Sequence, residues 1–116
     1  MGTELVLLHK IGKTTSNKPV DIINWTGESG YRYLVNEIYY ITAFIGAVGA
    51  LEVEIKIDGK PLEQPSNMPY PILYEFLMLN GKLVLDSMPR FQLRLKSDGT
   101  NLAAIEFFMS MVKEKI

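Results

Sequence analysis

The sequence predicts an all-β fold: a single antiparallel β-sandwich of about eight strands spanning residues 1–116, jelly-roll-like in its strand number. Three observations support this prediction. The apolar runs are rich in β-branched and aromatic residues, which suit a pleated, half-buried surface. Turn residues interrupt these runs about every 8 to 12 residues. The length of 116 residues is typical of one domain with one core.

The first part of the chain contains three predicted strands. Leu5–Ile11 and Val20–Trp25 are short apolar runs, and the polar segment 12–18 between them is predicted to be a loop. Tyr31–Ile45 is the longest segment with strand character. The step Val35-Asn36-Glu37 inside it indicates a bend or a bulge. A turn of small residues is expected after this strand.

The middle of the chain combines a clear strand with a proline-rich connection. Leu51–Ile57 alternates apolar and charged residues, which is typical of a half-exposed strand. Asp58-Gly59 is predicted to end it in a tight turn. Proline lacks a backbone donor and fixes φ, so the segment 61–71 is predicted to be a long surface loop.

The last part of the chain is predicted to hold the remaining strands. Asn80-Gly81 is typical of a two-residue hairpin turn and would join strands Ile72–Leu79 and Lys82–Leu85. Phe91–Lys96 alternates again and is followed by a turn. Leu102–Val112 is predicted to be the last strand because of its aromatic content, with a helix as the alternative because of its alanines and methionines.

Composition excludes several classes of partner. The 12 basic and 13 acidic residues give a net charge of -1, without the clustered positive surface that nucleic acid or an anionic membrane would require. The longest uncharged stretch, Ile38–Leu51, is too short to span a bilayer as a helix. The first ten residues do not look like a signal peptide. The absence of cysteine excludes disulfides and cysteine-zinc sites.

The side chains needed for catalysis are scarce, so an enzyme is not expected. His9 is the single histidine and is interpreted as a strand residue near a sheet edge. Glu52 and Glu54 are interpreted as solvated charges on a strand, and Asp58 and Asp98 as turn residues beside glycine. No cofactor or metal is expected.

Two regions are predicted to contact other protein subunits. Flexible thioethers suit adaptable interfaces, and a long loop carrying an aromatic anchor is a frequent contact site. Sheet edges offer a further route to pairing between copies. The residues predicted for the interface are Gln64, Met68 and Tyr70 in the proline-rich loop, and Met109 and Met111 on the last strand.

The aromatic residues suggest an alternative, since their ring faces would bind a sugar. Trp25, Tyr31 and Tyr33 are the residues expected to form such a platform. Filling the core and its rim is the competing interpretation of the same residues.

The order of features from residue 20 to 112 resembles small β-sandwich structural proteins of phages and archaeal viruses. The residues that carry this resemblance are Gly30-Tyr31-Arg32-Tyr33-Leu34, Val53–Lys60, Leu83–Ser87 and Phe91–Leu95, joined in part by the proline-rich connection. The resemblance implies a jelly-roll-like sandwich that oligomerises in a capsid, a spike or a tail. It transfers no catalytic or ligand-binding residue to this chain.

The expected function is therefore that of a non-catalytic virion structural or assembly protein. It would act through protein–protein contacts and homo-oligomerisation, after synthesis in the host cytoplasm. The alternative is a carbohydrate- or receptor-binding sandwich module, and the alternative location is the cytoplasm.

Overall fold

The computed structural model describes residues 3–46, 50–61, 74–86 and 88–116, and within these ranges the chain forms strands and turns without a helix. The all-β prediction is confirmed. The strands are β1 (Thr3–Thr14), β2 (Val20–Thr26), β3 (Tyr31–Phe44), β4 (Glu52–Ile57), β5 (Lys60–Pro61), β6 (Tyr74–Leu85), β7 (Arg90–Lys96) and β8 (Ala103–Lys115).

The strands form two antiparallel sheets that share one core. The long sheet has the order β1-β8-β3-β6, and its strands are 12 to 14 residues long. The short sheet has the order β2-β7-β4, with the two-residue β5 paired at its edge. The pairs are nested along the chain: β1 with β8, β2 with β7, β3 with β6 and β4 with β5. The predicted sandwich architecture is confirmed.

The core lies between the sheets because alternate residues of each strand point inward. Phe107 of the long sheet and Phe91 of the short sheet are fully buried, and their ring centroids lie 5.7 Å apart. Residues 51, 53, 55 and 57 of the sequence alternation also join the core, as predicted. The other large side chains that are fully buried include Val35, Ile38, Ile55, Leu85, Leu93, Leu95, Ile105, Met109 and Met111.

A bulge interrupts β3 where the sequence predicts one. Val35 pairs with Met111 and Glu37 pairs with Ser110, so Asn36 is an extra residue relative to β8. The extra residue changes which positions face the core. The inward residues are odd-numbered before the bulge, Tyr33 and Val35, and even-numbered after it, Ile38 and Tyr40.

The predicted hairpin at Asn80-Gly81 is wrong. β6 runs through this position, and both of its halves pair antiparallel with β3: Leu83 with Val35, and Met78 with Glu37. Residues 79–82 therefore lie opposite the bulge of β3, as a wide irregularity in one continuous strand. The Asn-Gly signal marks a local break in regular pairing. The chain does not reverse there because β3, with 14 residues, is long enough to pair with both halves of β6.

The ends of β1 and β8 extend beyond their predicted limits. The two strands pair from Thr3 opposite Glu114 to Thr14 opposite Ala103, so the predicted loop over 12–18 begins only after Thr14. The strand prediction for Leu102–Val112 is confirmed, and the helical alternative is excluded.

The turn at Asp58-Gly59 is confirmed. Both residues have positive φ, 53° and 79°, which is the requirement of the two-residue turn whose twist matches that of β4 and β5. Of the predicted proline-rich loop, Pro61 belongs to β5, and the remainder lies outside the described residues. Among the residues described, no helix has the length and apolar character needed to cross a bilayer.

Candidate functional site

The outer face of the short sheet is a ladder of charges. The Arg94 Nε atom lies 3.1 Å from Asp21 Oδ1, although too poorly aligned for a hydrogen bond, and Arg94 Nη1 lies 3.6 Å from Glu54 Oε1. Lys96 Nζ lies 3.7 Å from Glu52 Oε1. Exposed pairs of this kind contribute about 1 kcal/mol or less each to folding. Their arrangement indicates a face built to remain in water.

The outer face of the long sheet carries many apolar side chains beside the ion pairs Arg32–Glu114 and His9–Glu106. An antiparallel sheet with one buried face normally carries polar residues on the other. Here six large apolar side chains point outward, and their exposed fractions are Leu5 64%, Leu7 67%, Ile11 62%, Ile41 40%, Val84 46% and Phe108 41%. An apolar patch of more than a few hundred Å² on a soluble protein marks a contact surface.

The strand register places Leu5 and Val84 in one apolar row, whereas Glu106 lies between Ile11 and Ile41. Leu5 pairs with Val112, Val112 with Leu34, and Leu34 with Val84, so one apolar row crosses all four strands. Side chains directly opposite each other on neighbouring strands lie about 5 Å apart, which leaves no room for water within the row. We refer to this outward surface of β1, β8, β3 and β6 as the apolar face.

A shallow groove of about 560 Å³ runs along the apolar face. The His9 ring stacks on the Phe108 ring with a centroid distance of 4.2 Å and an interplanar angle of 8°, and the Tyr39 ring lies 6.1 Å from Phe108. Three aromatic rings from three strands therefore form the floor of the groove. Its other outward-facing lining residues are Leu7, Glu37 and Ser110.

His9, in the floor of this groove, forms a polar pair with Glu106. The His9 Nε2 atom lies 3.0 Å from Glu106 Oε2, and both side chains are nearly half exposed. The contact holds the imidazole flat on Phe108. His9 lies on β1 at the edge of the long sheet, as predicted. Within the described ranges no group of three or more His, Cys, Asp and Glu residues could hold a metal ion.

β1 itself has one unpaired side. It pairs with β8 along its full length, and within the described part of the chain no strand pairs with its other side. The backbone donors and acceptors along that side of a 12-residue strand are available to another strand. Three charged residues of this strand, Glu4, Lys10 and Lys13, are exposed.

The structure corrects the interface prediction for Met109 and Met111. Their side chains are 1% and 0% exposed, so they pack in the core and do not reach a partner of the folded chain. Their flexible thioethers fill the space between the sheets. On β8 it is the alternate residues, such as Phe108, that face outward. Gln64, Met68 and Tyr70 lie outside the described residues.

The structure corrects the predicted sugar platform at Tyr33. Tyr33 is 2% exposed, and its hydroxyl accepts a hydrogen bond of 2.9 Å from the Glu28 backbone N–H. Trp25 is partly buried and meets the Tyr33 ring edge-on at 4.9 Å. Lys113 Nζ lies 4.2 Å above the Tyr31 ring. A hydrogen bond from Lys113 to Glu28 raises the pKa of the Lys113 ammonium. Tyr33 is therefore not available to a sugar, whereas Trp25 and Tyr31 keep part of their surface exposed.

The apolar face has a sequence signal that a search for alternating apolar and polar residues does not detect. Leu5-Val6-Leu7-Leu8 is apolar at both odd and even positions, whereas a strand with one exposed face alternates. Val6 and Leu8 pack against the core, and Leu5 and Leu7 point outward. A strand that is apolar on both faces is typical of one that is buried on both sides.

Comparison with known proteins gives no match that would identify the chain. No protein-family model matches this sequence, and no curated protein or solved structure is significantly similar to it. The functional conclusion therefore rests on the geometry of the apolar face.

Proposed function

We propose that this chain is a non-catalytic virion structural or assembly protein that binds further copies of itself through the apolar face. The observation that carries the proposal is the contrast between the two outer faces. One is a charged ladder, and the other exposes leucine, isoleucine, valine and phenylalanine side chains. A protein that worked as a free monomer would gain nothing from leaving these side chains in water.

The size of the apolar face supports a stable contact. Four strands about 12 residues long present roughly 750 Å² of sheet surface, from the usual strand spacing and rise per residue. A standard protein interface buries about 800 Å² on each partner. A second copy is the partner of choice because two sheets with the same twist pack face to face about 10 Å apart.

The proposal includes the finer fold, a jelly roll. Such a fold consists of two Greek keys in a double sheet, and it occurs in viral capsid proteins and in lectins. The nested pairs β1–β8, β2–β7, β3–β6 and β4–β5 support it, because rolling up one long antiparallel ribbon produces this pairing. Fold analogy alone does not assign function, so the apolar face carries the assignment to an assembly protein. The proposed location is accordingly the virion, after synthesis in the host cytoplasm.

The proposal predicts that a charge on the apolar face separates the copies. Ile41 pairs with Glu106 across the sheet, so Ile41→Lys is compatible with the fold while placing an ammonium group in the contact. We expect it to raise the dissociation constant at least tenfold, measured by light scattering over a concentration series.

Glu52→Gln is the matched control. It changes net charge by the same amount on the outer face of the short sheet, and it should leave the solution mass unchanged. Circular dichroism checks that both variants keep their strands. Equal masses for Ile41→Lys and the original chain, with the fold intact, would exclude the apolar face as the contact.

A further inference from the structure

We infer that the edge strand β1 forms a second contact between copies, antiparallel to β1 of a neighbour about a twofold axis at Leu7. This inference rests on the proposed function, because it supplies the second surface that an assembling subunit needs. A subunit with one twofold contact stops at a dimer, whereas a subunit with two contacts continues to assemble.

β1 has the features of a pairing edge. It is 12 residues long and contains no proline, and no strand among the described residues pairs with its side away from β8. Natural edge strands are protected by short length, proline or a charge pointing inward. β1 lacks the first two of these, its charges Glu4 and Lys10 lie at inward positions, and Leu5 and Leu7 point outward, each about two-thirds exposed. Addition of a strand to such an edge is driven by backbone hydrogen bonds and specified by alternate side chains.

The charges of β1 select the register. When two copies extend one sheet, residues directly opposite each other point to the same side, so their numbers must sum to an even value. Among these registers, the one centred on Leu7 places Glu4 opposite Lys10 of the neighbouring copy, twice by symmetry. A register centred on Lys10 would oppose like charges. Opposite charges across neighbouring strands stabilise the pairing, and like charges oppose it.

The same register brings apolar side chains together. Leu7 meets its own symmetry copy on the apolar face, and Val6 meets Leu8 on the inward side, where both already pack against the core. Residues 3–11 then pair with residues 3–11 of the neighbour. Two apolar faces join side by side into one continuous surface, and Leu7 loses much of its exposure.

Cross-linking through one introduced thiol tests this register, because the natural chain has no cysteine. In the proposed pairing the two Cα atoms at position 7 lie about 4.5–5.5 Å apart, which is within the range of a disulfide. Leu7→Cys should therefore form a disulfide-linked dimer under mild oxidation. Ile11→Cys is the matched control, on the same strand and face with 62% exposure. Its two thiols would lie about 27 Å apart. We expect at least tenfold more cross-linked dimer from Leu7→Cys.

Charge variants test the register in a second way. Lys10→Glu opposes Glu4 with a like charge, and Glu4→Lys opposes Lys10 with a like charge, so each variant alone should dimerise about tenfold more weakly. An equimolar mixture restores both opposite-charge pairs and should assemble within about twofold of the original chain. Damage to folding would not be repaired by mixing.

The outcomes separate the two proposals. Oligomers by light scattering, with equal or absent cross-linking at positions 7 and 11, or without rescue on mixing, would overturn β1 pairing and leave the apolar face as the contact. A monomer at every concentration would overturn both.

Discussion

Gly12 is a residue whose role depends on a neighbouring strand and is therefore not predictable from the local sequence. The sequence places it at the start of a loop, yet it lies inside β1. A Cβ atom there would lie 2.6 Å from Ile22 Cγ2 and 2.8 Å from Ile22 Cδ1. Glycine is required because the two edge strands approach each other closely, and such a contact between distant residues has no local signal.

We therefore expect Gly12→Ala to lower the free energy of unfolding by about 1–3 kcal/mol, the usual cost of overpacking. In the Ile22→Ala background the same substitution should cost less, because the conflicting atoms are gone. Urea denaturation of both single variants and of the double variant measures the coupling. If the losses of unfolding free energy in the two single variants add up to that of the double variant, the contact with Ile22 does not restrict the side chain at position 12.

Asp98 is a second residue whose role the sequence gives only in part. The interpretation as a turn residue agrees with its contacts in the loop before β8. Its carboxylate accepts hydrogen bonds from the Asn101 backbone N–H at 2.7 Å, the Asn101 side-chain amide at 2.7 Å and the Thr100 backbone N–H at 2.9 Å. These bonds lower the pKa of Asp98 from 3.8 to about 2. A shift of this kind requires the folded loop geometry.

The lowered pKa predicts a dependence of stability on pH. The ionised carboxylate stabilises the folded chain above about pH 4, and this contribution is lost as the pH falls from about 4 towards 2. Asp98→Asn should therefore be less stable than the original chain at pH 7, and the difference should narrow by pH 2.5. Urea midpoints at both values measure it, with Glu52→Gln as the control for net charge. A difference that stays constant with pH would contradict this role of the carboxylate.

At the scale of elements, most strands are predictable from the sequence and their partners are not. Alternation locates β4 and β7 because it depends only on the chain's own residues. The hairpin prediction at Asn80-Gly81 is wrong because β6 pairs with β3 on both sides of this position, and β3 lies far away in sequence. Met109 and Met111 are buried because the odd-numbered residues of β8, such as Phe107, point inward, whereas even-numbered residues such as Phe108 point outward. Composition alone does not reveal which alternate residues point inward.

The turn between β4 and β5 gives a prediction at this scale. Gly59 has φ of 79°, and a Cβ atom there would meet nothing within 4 Å, so only the backbone conformation requires glycine. Gly59→Ala should cost about 1 kcal/mol of stability. Gly59→Asn should cost less, because asparagine tolerates this conformation. Thermal unfolding followed by circular dichroism gives the ranking, and an equal loss for both variants would contradict it.

At the scale of the whole molecule, the two outer faces have opposite character. The charged pairs of the short sheet and the exposed leucines of the long sheet give the sandwich one side suited to water and one suited to a partner. The sequence predicts the sandwich and an oligomer. It does not predict which outer face exposes the apolar side chains, because that requires the register across β1, β8, β3 and β6.

Sedimentation equilibrium of the purified chain tests most directly whether the apolar face is covered by further copies. The chain mass is 13.1 kDa. We expect a mass of at least twice this value at micromolar concentration, falling on dilution, because the exposed apolar rows are then buried between copies. A mass of 13.1 kDa maintained up to the highest soluble concentration would contradict self-association through this face.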